Sequence, residues 1–264
     1  MTLGGAILYS ASVPRVSVAF VRSLVDVQPN DVSIAIDVLR ATTTLAVLFG
    51  RGCRGVWLAS DVNSARRIGQ STGHLICGEQ GGLPPPGFDF GNSPVEFGRV
   101  DLEGREIVFA TTNGTGTLRA CAAGRHTFAG AFVNATAVVQ TAQRSIEAMG
   151  DESGRLLIAC AGTHGRFGLE DAACGGLMVK IAQRSWPDAV LDDGAEAARR
   201  LYDSLGGPLE AVRASHHAQS LVDLGLGEDV LFCGQLDVTG VVPELHPDSP
   251  WPMFLVDEEE EPSP

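Results

Sequence analysis

The sequence predicts an α/β fold: a three-layer α/β/α domain on a mostly parallel sheet, with a mixed sheet also compatible. Two observations predict it. A short apolar run, a polar loop and a helical segment follow one another again and again along the chain, the signature of βα units around a parallel sheet. The polar residues gather where the apolar runs end and the helices begin, which is where open α/β sheets bind ligands. The 264 residues are 44% hydrophobic and only 6% aromatic, so they can bury a full, largely aliphatic core. Thirty-two glycines and 14 prolines supply many turns.

Taken in order, residues 1–14 read as a loose start, 16–21 as a strand, and 33–36 (SIAI) as a second strand that ends at Asp37. A helix over 42–49 starts near Arg40 and stops at Gly50 and Gly52. A strand over 56–59, a short helix over 62–68 and a strand over 74–77 come next. That strand runs into 78–96 (GEQGGLPPPGFDFGNSPVE), which holds five glycines and four prolines and is excluded from helix interiors and central strands. Leu83, Phe88, Phe90 and Phe97 give this long loop apolar anchors, so it reads as a shaped functional loop. Ser93 and Pro94 suit the N-cap and first position of a helix.

The second half repeats the pattern. Strands over 106–110, 126–132 and 155–160 lead into TTNGT, Asn134 and AGTHGRFGLED. Helices are expected over 117–122, 136–149 (capped by Asn134), 169–185, 195–205 and 208–221, with late strands over 230–232 and 238–242. Residues 1–242 then form one domain, and 243–264 an acidic, Pro-rich tail expected to be partly disordered.

The formal charge of −13 argues against nucleic acid or an anionic membrane as a partner. No apolar run is long enough to span a bilayer, and the first residues lack the pattern of a signal peptide. The six cysteines (53, 77, 121, 160, 174, 233) form no C-x-x-C pair and most sit in apolar runs, so buried free thiols are expected. The compartment these features fit is the cytoplasm; a homo-oligomer is left open.

Asp37, at a strand end before a helix, suits a metal ligand or a nucleophile, and equally a turn that caps the helix. Arg40 beside the amides of Thr42 and Thr43 forms a plausible oxyanion cradle, or else a surface ion pair. Glu79 is delivered by the strand before the long loop, which also carries Asp89, Asn92, Ser93 and Glu96. Thr111, Thr112, Asn113, Gly114 and Thr115 offer hydroxyls and amides to an anion, or simply a capping turn. Glu170 and Asp171 open a helix that favours acids by its dipole alone, and one of the two is expected to face the cleft. His164 and Arg166 share their loop. The other five histidines read as structural or surface residues.

No one of these elements is specific, but their order is. DVLRATTT, GEQGG…GFDFGNSPVE, TTNGT, VNA and CAGTHGRFGLED, in that sequence, closely resemble the 2-phosphosulfolactate phosphatase (ComB-like) family, strongly over 37–171 and more weakly to Val242. Gln80 and Gly168 depart from the pattern, standing where a basic residue and a serine are expected. The resemblance implies a Mg²⁺-dependent phosphoric monoester hydrolase that converts (2R)-2-phospho-3-sulfolactate to 3-sulfolactate in coenzyme M biosynthesis. It implies Asp37, Arg40, Glu79 and Asp171 as catalytic residues. Asp37, Glu79, Glu170 and Asp171 would surround the metal. Arg40, Thr42, Thr43, Asn92, Ser93, residues 111–115, Asn134, His164 and Arg166 would bind substrate. The surplus of carboxylates suits a hard cation. Direct attack by water is favoured over a phosphoaspartate at Asp37, because Leu39 stands where the haloacid-dehalogenase signature needs a second aspartate. A phosphatase of another phosphorylated hydroxy acid, and a non-catalytic organic-phosphate binder, are the alternatives.

Overall fold

The computed structural model describes residues 13–150, 154–246 and 253–255. The chain runs β1 (Arg15–Ala19), β2 (Val32–Ile36), α1 (Ala41–Gly50), β3 (Gly55–Leu58), α2 (Val62–Thr72) and β4 (Leu75–Gly78). It continues through α3 (Pro94–Phe97), β5 (Glu106–Ala110), α4 (Gly114–Cys121), β6 (His126–Gly130), α5 (Ala135–Ala148) and β7 (Arg155–Cys160). Then come α6 (Leu169–Ser185), β8 (Val190–Leu191), α7 (Asp193–Asp203), α8 (Pro208–Arg213), α9 (His216–Asp223), α10 (Gly227–Cys233), β9 (Glu244–His246) and β10 (Met253–Leu255).

The sheet has ten strands in the order β4-β5-β3-β10-β9-β6-β2-β7-β1-β8. β4, β5 and β3 pair in parallel, and so do β6, β2, β7, β1 and β8. Between these blocks β10 runs antiparallel to both β3 and β9, and β9 antiparallel to β6. Three antiparallel steps give the two blocks opposite sense. The strand segments expected over 230–232 and 238–242 are not strands: the first lies in α10 and the second in irregular chain. The span assigned to the tail supplies β9 and β10 instead, inserted at the centre of the sheet. The helix expected over 208–221 is broken into α8 and α9 at Ser215, whose hydroxyl accepts from the amide of Ala218. The loose start, apart from residues 13–14, and residues 247–252 and 256–264 of the tail lie outside the described residues.

Alternation along β2 shows the layers. Val32, Ile34 and Ile36 join the core under α5 and α6, while Ala35 faces the core under α1 and α4. Every residue of β2 is buried, as a strand covered on both faces requires. α6 is buried nearly all round because α5, α7, α8 and the sheet enclose it. Gly176 permits the α7 approach, since a Cβ there would run into the Ala198 carbonyl. All six cysteines are buried free thiols. Among the described residues no helix is long and apolar enough to cross a membrane.

Candidate active site

A cleft of about 900 Å³ lies where the C-terminal ends of both strand blocks meet. Asp37 follows β2 and Thr163 follows β7, from one block. Glu79 follows β4 and Thr111–Asn113 follow β5, from the other. His217 on α9 and the 163–170 segment complete the wall.

Asp37 is fixed by its neighbours. Its Oδ1 accepts from the Ala41 amide at 3.2 Å, and its backbone is tied in both directions to the Thr42 hydroxyl. Its Oδ2 makes no hydrogen bond to any described residue and lies against Gly114, where a Cβ would stand 2.8 Å from it. Burial pushes the Asp37 carboxyl up to about 6, opposed by the field of His217 and the Ala41 amide and reinforced by Glu79 and Glu170. Glu79 spans two segments: Oε1 accepts from the Thr112 amide at 2.7 Å and Oε2 from the Gly82 amide at 2.9 Å.

Of the two acids that open α6, Glu170 faces the cleft. It is 2% exposed, and its Oε1 lies 3.2 Å from His217 Nδ1. Its Oε2 is buried without a hydrogen-bond partner among the described residues. Asp171 does not line the cleft. Its Oδ1 accepts from the Val38 amide at 2.8 Å and its Oδ2 from the Gly162 amide at 2.9 Å, so it clips the end of β2 to the end of β7. Burial, with Glu170 and Asp37 nearby, holds its carboxyl well above the usual range. Both oxygens of Asp171, expected on a metal or in catalysis, are thus taken up by backbone amides at the strand ends.

Arg40 lines the cleft. Its fork, expected on substrate oxygens, is engaged within the protein: Nη1 donates to Asp229 at 2.7 Å and Nη2 to the Gly82 carbonyl at 2.6 Å. Thr42 and Thr43 turn their hydroxyls back onto the carbonyls of Asp37 and Val38. The Thr115 hydroxyl donates to the Thr111 carbonyl and, like Gly114, lies behind the cleft wall. Ser93 donates to Asp229 and caps α3. Asn134 does not line the cleft; it is bonded to Ala131, Ala129 and Val241, and makes no side-chain cap on α5. Asp89 accepts from the Ile76 amide at 2.8 Å. Asn92, Thr111, Thr112, Asn113, His164 and Arg166 do line the cleft. The His164 amide donates to Asn113 Oδ1 at 3.1 Å, which pins the 163–166 turn to the start of α4. Arg166 forms no ion pair among the described residues.

The sequence reading missed His217. Its Nδ1 is shared between Glu170 and Thr163, at 3.2 and 3.3 Å. Burial works against its charged form, but the hydrogen bond to Glu170 and the fields of Glu170, Asp37 and Glu79 prevail and raise its pKa. No local spacing marked it, because its partners lie on other elements.

These motifs sit in a chain that matches the family described as 2-phosphosulpholactate phosphatase over residues 20–248. The chain belongs to this family. It is 39% identical over 232 residues to a Deinococcus radiodurans protein named "Probable 2-phosphosulfolactate phosphatase", covering 86% of this chain and 94% of the relative. Relatives of the same name from Thermotoga petrophila and Thermus thermophilus are 37% and 35% identical, covering 81% and 85% of this chain and 88% and 94% of their own. The phosphatase family therefore spans the whole region that builds the cleft.

Proposed function

We propose that the chain hydrolyses the phosphate monoester of (2R)-2-phospho-3-sulfolactate to 3-sulfolactate and phosphate, with Mg²⁺ as cofactor. Family membership supports the reaction. One observation carries the site: Glu170, buried beside Asp37 and Glu79, leaves an oxygen with no partner among the described residues, in a cleft meant for an anion. Lining such a cleft with acids makes physical sense when a cation stands between them and the phosphate. Among the described residues no three metal-binding side chains form a ready-made cage. That fits Mg²⁺, which takes one or two carboxylates and completes its octahedron with water and substrate phosphate. Asp37 and Glu170 would hold the ion, with Glu79 beside them. The chemistry such an ion would supply there is neutralisation of phosphoryl oxygens and a lowered pKa for a bound water.

The chain's own groups do the rest. Arg166, His164 and Asn92 bind anionic and carbonyl oxygens along the cleft wall. The hydroxyls of Thr111 and Thr112 and the amide of Asn113 receive phosphoryl oxygens. The Nδ1–H of His217, held by Glu170 and Thr163, fixes the ring and leaves Nε2 to meet a substrate oxygen. Water supplies the incoming oxygen, and its protons end on the hydroxyl of 3-sulfolactate and on phosphate. The uncatalysed barrier is among the highest known, so positioning and charge neutralisation carry the rate. The experiment is phosphate release from a panel of phosphorylated hydroxy acids at matched concentration. Preference for 2-phosphosulfolactate supports the reading. Preference for another member moves the substrate, and binding without release from any member replaces catalysis with carriage.

A further inference from the structure

Asp229 lies on α10, outside every motif that carries the family resemblance, and its side chain is 2% exposed beside an Arg40 that is 3% exposed. Its Oδ2 accepts from Arg40 at 2.7 Å. Arg40 passes the contact on: its other terminal nitrogen donates to the Gly82 carbonyl at 2.6 Å. The Gly82 amide in turn donates to Glu79, whose second oxygen receives the Thr112 amide. An unbroken chain of hydrogen bonds thus runs from α10, through the start of α1 and the tip of loop 79–93, to the end of β5.

The other oxygen of Asp229 holds the far end of the same loop. Oδ1 accepts from the Ser93 hydroxyl at 2.6 Å and lies 3.4 Å from the Val95 amide. Ser93 adjoins Asn92, which is 3% exposed, lines the cleft, and keeps its Oδ1 buried without a partner among the described residues. A buried ion pair is weak as a source of stability, because desolvation offsets attraction. Its geometry is what it supplies, and here both oxygens of one carboxylate fix the two ends of one loop.

We propose that Asp229 is a positioning residue of the active site: through Arg40 and Ser93 it clamps loop 79–93, so that Glu79 and Asn92 are presented to the cleft. This rests on the phosphatase reading of that cleft. Asp229→Asn keeps the shape and the acceptor for Ser93, and removes the charge that holds Arg40. Hydrogen exchange at the Gly82 and Thr112 amides, both donors to Glu79, reads the clamp without any substrate. Exchange there should quicken tenfold or more while β2 and β7 stay protected. Phosphate release then reads the consequence in a double-mutant cycle with Glu79→Gln. Each single variant should lose at least tenfold in kcat, and the double variant should be no worse than Glu79→Gln alone. Unchanged exchange at Gly82 and Thr112, or losses that multiply in the cycle, would overturn the proposal. If the wild type released no phosphate from any ester, the phosphatase reading alone would fail, and exchange would still decide on Asp229. Should Asp229→Asn not fold, Asp229→Glu keeps the charge and displaces the carboxylate by one methylene; the same quickening is expected at the same two amides, and its absence counts against the clamp.

Discussion

Replacing Glu170 by glutamine removes a buried negative charge and leaves the side-chain volume unchanged. Its Oε2 has no partner among the described residues, so without a cation an unsatisfied acceptor stands there. Glu170→Gln should melt no lower than wild type in chelator, yet lose at least tenfold in turnover, a barrier increase of about 1.4 kcal/mol. A lower melting temperature with full turnover would make Glu170 a structural acid. The neighbouring residue predicts the reverse. In Asp171→Asn the new side-chain NH₂ must face the Val38 or Gly162 amide, leaving a donor unsatisfied. Urea denaturation should show a loss of about 2 kcal/mol; an unchanged midpoint with lost activity would return Asp171 to the chemistry. That one acid of the pair faces the cleft was legible from helix geometry. Which one it is depends on amides brought in from β2 and β7.

At the scale of elements, the strand ends were legible and the ion pairs between elements were not. The apolar runs 106–110 and 155–160 and the helix over 169–185 have the bounds the sequence suggests, because buried parallel strands are nearly continuous in hydrophobicity. The run VLF in α10 is too short to tell helix from strand, and reading it as a strand hid Asp229. Arg40 was legible as a site residue, but its partner lies 189 positions away. His217 was hidden for the same reason. Packing between elements also limits substitution. Gly176→Ala should force α6 and α7 apart, since the added Cβ runs into the Ala198 backbone. Overpacking of that kind costs about 1–3 kcal/mol, and a thermal melt indistinguishable from wild type would contradict the close approach.

For the molecule as a whole, the two blocks of parallel strands run in opposite sense, joined through β10 and β9, and their C-terminal ends share one cleft. The sequence suggested a mostly parallel sheet, with a mixed one also compatible; the insertion of late strands at the sheet centre comes from a segment whose acidic, Pro-rich composition suggested a tail. A net charge of −13 makes local positive charge decisive for an anionic substrate. The central claim is that the acids of the cleft hold a divalent cation with which the chain hydrolyses a phosphate ester. The most direct measurement is phosphate release from 2-phosphosulfolactate by the purified protein, before chelation, after exhaustive chelation, and after Mg²⁺ is returned. The account predicts turnover that stops on chelation and recovers with Mg²⁺; full turnover in the chelated protein would contradict it.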